Sequence, residues 1–493
     1  MLEPCITGSF TPPAAYYPET ISIHRDKMSQ LKTMQEQSLP SWPPHLRTGA
    51  GPRFLQIADA LQQAVGDGLL KPGDRLPPQR ELAAQLNVDL TTITRAYDEA
   101  RRRNLLEGRG ARGTYVAAPK VELTSVLDLS MNTPPAPEGV DFDDLLKQGL
   151  AQVLMRADNE LLMTYHLGGG SVSDREAGAK WIEPMFGNID PDQIVVCPGA
   201  QAAIAALILV LTEPGDAILV EPTSYPGLRA AATQFGRHIV SVETDKHGML
   251  PDALEKACRE YQSRLVYLNP TLQNPTTVTM PGKRRKELAA VAKRCNARII
   301  EDDPYWLLAE SPPPPIATHA PEHVYYVSTL SKCLTPGLRV AFVLVRDPIE
   351  RERFLVAMRS FALMVAPLTA ALATQWILDG SANTLMLAVR NEAGMRHLIA
   401  RDVLAGRYAG PGDGLHIWVE LPTYWGAYQL AQAAEGEGLA VTPADAFATN
   451  GESVNAIRIS LGGATDRSRL RTGLQRLSQL LARRPDAYIA AVV

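Results

Sequence analysis

The sequence predicts an α/β protein in two parts. A small helical module lies near the N-terminus, and a long domain follows in which strands and helices alternate around a largely parallel sheet. Three observations carry this prediction. Apolar residues recur at helical spacing from Phe54 onward, and three such stretches end in a glycine-rich hairpin. Residues 118–137 contain Pro119, Pro134, Pro135 and Pro137, which mark a connection. Beyond them, short apolar runs alternate with helical patterns to the end of the chain, as βαβ units require.

Residues 1–48 are rich in Pro, Ser, Thr and Gln and read as a disordered or extended arm. In the first module, Phe54, Ile57, Ala58, Leu61 and Val65 make one amphipathic helix, stopped by Gly66–Gly68. Lys71-Pro72-Gly73-Asp74 is a turn. A second helix spans Gln79–Leu86, and Asp89 is the expected N-cap of a third that runs to about Arg103. Two strands, Leu105–Glu107 and Gly113–Ala117, flank Gly108-Arg109-Gly110-Ala111-Arg112. Three helices and a basic hairpin make a winged helix-turn-helix. The expected domains are 49–117 and 129–493, with 118–128 as linker.

Length, composition and charge narrow the function. The 493 residues are 45% hydrophobic and 21% charged, ordinary for a chain with a large core. Net charge is −4, yet residues 46–120 hold 12 Lys+Arg against 8 Asp+Glu, so this basic module sits on an acidic remainder. The five cysteines are scattered and form no C-x-x-C pair, which argues for reduced thiols, and no Cys/His cluster has zinc spacing, so no metal is expected. No secretory signal is visible, and the longest apolar run, Ala202–Leu211, is far short of the ~20 residues that span a bilayer. A bacterial cytoplasmic location is expected, nucleoid-associated when DNA is bound, with no membrane partner.

Residues 54–117 resemble the GntR family of winged-helix regulators. The match runs through Leu69-Leu70-Lys71-Pro72-Gly73-Asp74-Arg75-Leu76-Pro77-Pro78-Gln79-Arg80-Glu81-Leu82-Ala83, Thr91-Thr92-Ile93 and Arg112-Gly113-Thr114-Tyr115-Val116. The resemblance implies operator DNA as partner, contacted by Arg80, Thr91, Thr92 and Arg95 at the helices and by Arg109 and Arg112 on the wing. A helix N-terminus suits phosphate independently of any family. Arg101–Arg103 read better as charges that solvate the end of the third helix. Leu90 and Thr94 stand where many family members carry arginine, so the operator sequence does not transfer.

Ser328-Thr329-Leu330-Ser331-Lys332-Cys333-Leu334-Thr335-Pro336-Gly337-Leu338-Arg339 resembles the Schiff-base lysine segment of fold-type I enzymes that use pyridoxal 5′-phosphate (PLP). Four further segments fall in that family's order. The resemblance implies an internal aldimine on Lys332. It implies a phosphate cradle from Gly199, Ala200, Gln201, Thr329, Ser331 and Arg339, and Tyr225 stacked on the ring. Asn274 and Tyr305 would reach the phenolic oxygen, and Asp302, rather than Asp303, the pyridinium nitrogen. Arg458 would take a substrate carboxylate, and Tyr165 would reach the phosphate of a partner subunit. Lys332, Asp302 and Tyr305 are the catalytic candidates. Taken singly, Tyr225 or Tyr305 reads equally as core, Asp302 as a helix cap and Arg458 as half of a structural ion pair. Ala200 lacks the hydroxyl often found there, and Thr277 replaces a customary glycine after Asn274-Pro275-Thr276.

Both modules in one chain, head first, resemble the MocR subfamily of GntR regulators. That implies a fold-type I aminotransferase-like domain, with a mainly parallel sheet, flanking helices and a small domain, behind the winged helix. It implies a head-swapped homodimer that senses an amino acid or amine through aldimine exchange at Lys332 and changes transcription. A working aminotransferase with an accessory DNA-binding head is the alternative, because retained machinery is compatible with either.

Overall fold

The computed structural model describes residues 51–103, 105–108, 113–117, 126–156, 163–408, 410–451 and 453–484. The expected arm, residues 1–48, and the wing-tip arginines Arg109 and Arg112 lie outside the described residues. The chain divides into two units between Leu123 and Thr124.

In the first unit, α1 (Arg53–Gly66), α2 (Gln79–Leu86) and α3 (Leu90–Arg102) precede an antiparallel pair, β1 (Leu106–Gly108) and β2 (Thr114–Val116). Ile57, Leu61, Leu82, Ile93, Tyr97, Leu106 and Val116 form its core, the face that helical spacing assigned to the interior. Tyr97 donates to Pro77 O at 2.9 Å, tying α3 to the loop before α2. Asn87 ends α2 in the left-handed region at φ 48°, where a short polar side chain is tolerated. Asp89 is the residue before α3 as expected, but its side chain makes no capping hydrogen bond.

The second unit starts earlier than the sequence suggests. Leu127–Asp128 (β3), expected as the end of a linker, pairs in parallel with Leu439–Ala440. Leu127 and Leu129 are buried in the core of the small subdomain, so apolar burial fixes residues that the nearby prolines made look like a connection.

The large sheet has seven strands: β4 (Ile194–Cys197), β5 (Ala217–Val220), β6 (His238–Ser241), β7 (Leu265–Leu268), β8 (Arg298–Asp302), β9 (Val324–Thr329) and β10 (Ala341–Leu344). Their spatial order is β4-β10-β9-β8-β7-β5-β6. All neighbours are parallel except β10, which runs antiparallel to β4 and β9. Buried cores lie on both faces of the sheet, which is why its strands read as continuous apolar runs. A smaller sheet follows, of β11 (His416–Glu420), β12 (Thr442–Pro443) and β13 (Ala456–Ser460), in the order β11-β13-β12. No helix among the described residues is long and apolar enough to cross a membrane.

Candidate functional site

Open parallel sheets place their ligands beyond the carboxyl ends of the strands. Here those ends deliver Gly199 after β4, Tyr225 after β5, Asn269 after β7, Asp302 at the end of β8 and Lys332 just after β9.

Lys332 sits on a one-turn helix, Leu330–Cys333. Thr329 caps that turn, its hydroxyl accepting from Ser331 N at 3.2 Å. Lys332 Nζ donates to the main-chain oxygen of Asn132 at 2.5 Å. Burial, reinforced by Arg458, pushes the amine down to about 8, and Asp302 pulls partly back. A buried amine with that value is a competent nucleophile near neutral pH.

Asp302 is buried and accepts from the Tyr267 hydroxyl at 2.6 Å through Oδ2. Its Oδ1 is buried with no hydrogen-bond partner among the described residues. Burial raises its carboxyl to about 6, while the Tyr267 hydrogen bond and Lys332 hold it from rising further. It is therefore mostly ionised at pH 7 and offers one free anionic oxygen. Asp303 points elsewhere. It accepts from Thr271 Oγ1 at 3.0 Å and feels Arg285 and Glu301, and burial raises it to about 8. Strand alternation puts the two acids on opposite faces.

Gly199 and Arg339 meet at a helix N-terminus, a setting that suits an anion. Gly199 precedes an apolar helix, α4 (Ala200–Leu211), with φ +90°, and the Arg339 guanidinium lies where a Cβ at Gly199 would be. Only glycine satisfies both constraints. Arg339 NH1 also donates to Ser331 Oγ at 3.4 Å. Gln201 donates to Gly227 O at 2.8 Å, tying α4 to the turn that carries Tyr225, and its Oε1 is buried with no partner among the described residues.

The other end of the site is cross-braced. Asn274, preceding a cis peptide bond to Pro275, accepts through Oδ1 from Arg458 NH1 at 2.7 Å, and its N–H donates to Asn269 Oδ1 at 2.8 Å. Asn269 Nδ2 in turn donates to Asp302 O at 2.7 Å. Thr277 has φ +64°, the left-handed backbone that suits glycine, so the residue departing from the family pattern occupies a strained position. Arg458 is buried, lies 4.8 Å from the Phe447 ring centroid and also donates to Ser130 O. Asn132 Nδ2 donates to Tyr305 OH at 2.9 Å and lies 3.0 Å from His416 Nδ1. His416 is held well below its usual range by burial first and by Arg458 second, so it is neutral and accepts at Nδ1.

In the head, Arg80, Thr91 and Arg95 are exposed and Thr92 is half-buried. The Arg95 guanidinium stacks over Phe54, 4.3 Å from the centroid. Arg101 pairs with Asp98, Arg102 with Glu99, and Arg103 with Glu99 and Asp59. Those three arginines are therefore neutralised within the helix end, as the sequence reading preferred. Thr94 donates to Gln79 Oε1 at 2.8 Å, joining α3 to α2 in place of a cation.

Comparison with known proteins agrees with both halves. The model of the aminotransferase class I and II family matches residues 124–477, and that of the gntR family of bacterial regulatory proteins matches 54–116. The chain is 31% identical over 456 residues to the HTH-type transcriptional regulator YdeF of Bacillus subtilis, covering 90% of this chain and 97% of that one. The chain belongs to the class I and II aminotransferase family, in the MocR subfamily of GntR-type transcriptional regulators. A second relative of this MocR-type regulator is the vitamin B6 salvage pathway transcriptional repressor PtsJ of Salmonella typhimurium, 27% identical over 83% of this chain and 94% of that one. Among solved structures it resembles LysN, the α-aminoadipate aminotransferase of Thermus thermophilus. That likeness has a TM-score of 0.66 at 27% identity, over 73% of this chain and 92% of that chain.

The MocR-type regulator is thus a transcriptional regulator with a PLP-binding aminotransferase-like domain. The residues present fit that cofactor: a buried Asp302 oxygen with no partner among the described residues, a glycine–arginine pair at a helix N-terminus, and a depressed lysine that interacts with both Asp302 and Arg339. Lys332 interacts with Asp302, Arg339 and Arg458, and Tyr225 with Asp302 and Arg339, whereas Tyr165 is 72% exposed. Sequence reasoning missed Asn132, Tyr267 and His416. Tyr267 was within reach, since it lies two residues before Asn269 and hence on the same strand face. Asn132 was hidden in a stretch read as linker, and nothing local marks His416.

Proposed function

We propose that this regulator senses an α-amino acid or amine by exchanging it for Lys332 on PLP, and that the exchange alters the affinity of the head for operator DNA. The observation that carries the reading is the convergence of Lys332, the free Asp302 oxygen and the Arg458 guanidinium at one buried site. When bound, PLP supplies an electrophilic carbonyl carbon for amines and an electron-withdrawing ring.

The chain's own residues divide the work. Asp302 keeps a proton on the ring nitrogen. Gly199, Ala200 and Gln201 present the helix N-terminus to the phosphate, with Thr329, Ser331 and Arg339 opposite. Tyr225 covers the ring face. Asn274 and Tyr305 hold the phenolic oxygen, and Arg458 takes the ligand carboxylate. In the head, Arg80, Thr91, Thr92 and Arg95, with Arg109 and Arg112, contact DNA. The reading includes a homodimer with exchanged heads, in which Tyr165 completes the partner's site. The exposure of Tyr165 together with that of Met155, Met163 and Val172 supports an apolar surface for such an association.

The test is a visible absorption spectrum of the purified full-length protein with PLP, then with amino acids and amines added singly and no keto acid. Binding of genomic DNA fragments is followed alongside. One ligand should shift the cofactor band persistently and change fragment affinity about 5–150-fold, a coupling of ~1–3 kcal/mol. Absence of a lysine-bound band, or of any fragment binding at low salt, overturns the reading. Conversion to pyridoxamine phosphate that a keto acid reverses would instead make the chain a transaminase.

A further inference from the structure

The residues just after β3 touch both cations of the ligand site through their main chain. Leu127 N donates to Gly438 O at 2.7 Å, Leu129 N to Ala440 O at 2.9 Å, and Ser460 N to Leu129 O at 2.7 Å, so the segment is anchored at 127–129. Asp128 Oδ1 then turns the chain by accepting from Ser130 N at 2.8 Å, Ser130 Oγ at 2.6 Å and Met131 N at 3.3 Å. Ser130 O accepts from the Arg458 guanidinium and from Thr442 Oγ1, the latter at 3.0 Å. Two residues on, Asn132 O accepts from Lys332 Nζ at 2.5 Å. Met131 between them is 62% exposed. Gly462 and Gly463, which follow β13, let the segment lie close. A Cβ at either would collide with the carbonyl oxygen of Thr133 or Asp128.

We infer that residues 130–132 form a strap that reads the chemical class of ligand in the PLP site, through the competition of Ser130 O with a ligand carboxylate for Arg458 and the capture of the Lys332 amine by Asn132 O. The inference rests on the roles of Lys332 and Arg458 proposed above and adds the regulation of that site.

The two contacts respond to different parts of a ligand. A guanidinium meets a carboxylate with opposite charge and two parallel hydrogen bonds, whereas a main-chain carbonyl offers one neutral acceptor. An amino acid's carboxylate at Arg458 therefore displaces Ser130 O. Lys332 can donate to Asn132 O only as a free amine, so its release by an incoming amine tightens the Asn132 end. A simple amine produces only this second change and leaves the strap held at both ends. An α-amino acid frees the Ser130 end while the Asn132 end stays held. Toward the N-terminus the same chain passes through Leu127 to residues 118–125 and the head, so the strap is also the part of the site nearest in sequence to the DNA-binding module.

Hydrogen-exchange mass spectrometry on the full-length, PLP-depleted protein tests this with two reduced cofactor adducts. N-(5′-phosphopyridoxyl)-L-alanine carries a carboxylate, and N-(5′-phosphopyridoxyl)ethylamine does not. Lys332 is a free amine with both. Each should protect the cradle peptide 198–205 equally. The alanine adduct should speed exchange at the Ser130 and Met131 amides about ten-fold over the ethylamine adduct, the loss expected for one charge-assisted hydrogen bond. In Arg458→Gln that difference should disappear. Equal strap exchange with both adducts bound, or a difference that survives Arg458→Gln, overturns the strap while leaving the cofactor site intact. Failure of either adduct to protect 198–205 overturns the cofactor-site reading and the strap with it.

Discussion

The head and the PLP domain hold their candidate functional side chains in opposite settings. Arg80, Thr91 and Arg95 stand exposed on two short helices over a core of their own. Asp302, Asn274, Tyr305 and Arg458 are buried, and each is braced by a neighbour that is itself part of the site. An exposed cation contributes little to the stability of its own domain. A buried, hydrogen-bonded charge cannot be removed without stranding its partners. Substitutions in the head should therefore change binding and leave folding alone, whereas substitutions in the buried site should change both, unless they preserve the hydrogen bonds.

The largest effect tests the buried side of this contrast. Lys332→Ala should abolish the lysine-bound cofactor absorption band completely, read after gel filtration to remove free PLP. DNA binding in the absence of ligand should survive, because the head is a compact unit with a core of its own. Loss of the ligand response is expected with it; a full ligand response in this variant would remove Lys332 from the sensing step. Next in size is Arg458→Gln. Loss of a buried charge-assisted pair, ~2–3 kcal/mol, predicts an amino-acid affinity lowered about 30–150-fold, with the affinity for amines that lack a carboxylate nearly unchanged. Spectral titration of both ligand types checks the split. Equal losses would mean that Arg458 acts only as a brace for Asn274.

Legibility followed the same divide. The helices of the head were legible because local signals define them: helical periodicity and the Lys71–Asp74 turn. The places of Lys332, Asp302 and Asn274 at or beyond the ends of strands, and of Arg458 within β13, were legible because each lies in a motif with fixed spacing. That spacing separated Asp302 from Asp303, and the two carboxylates meet different partners, Tyr267 for Asp302 and Thr271 for Asp303. What could not be read depends on contacts between distant segments. Asn132 and His416 are 284 positions apart and meet only because the small subdomain folds back on residues 127–132. The antiparallel insertion of β10 is equally invisible, since its apolar run resembles those of its parallel neighbours.

A third test uses pH. Burial holds Lys332 at about 8 rather than the usual 10.5. The reactive neutral amine dominates above the folded pKa and is lost as pH falls below it. The rate at which the depleted protein takes up PLP onto Lys332 should therefore rise about ten-fold from pH 7 to pH 9 and flatten there. A rate that keeps climbing to pH 10 would mean an amine in an unshifted environment, and the burial argument for Lys332 would fail.

The smallest effect probes the exposed side. If Arg80 meets a phosphate, Arg80→Ala should weaken DNA binding only a few-fold at moderate salt, and uniformly across fragments. Its signature is the salt dependence, because each neutralised phosphate adds about 0.9 to the slope of log affinity against log salt. The slope should fall by about one while the melting temperature stays within a degree or so, since surface substitutions usually change stability by less than ~0.5 kcal/mol. A fall in affinity confined to particular sequences, with the slope unchanged, would make Arg80 a base reader. A drop in melting temperature as large as that of a buried-site variant would erase the contrast between the two regions.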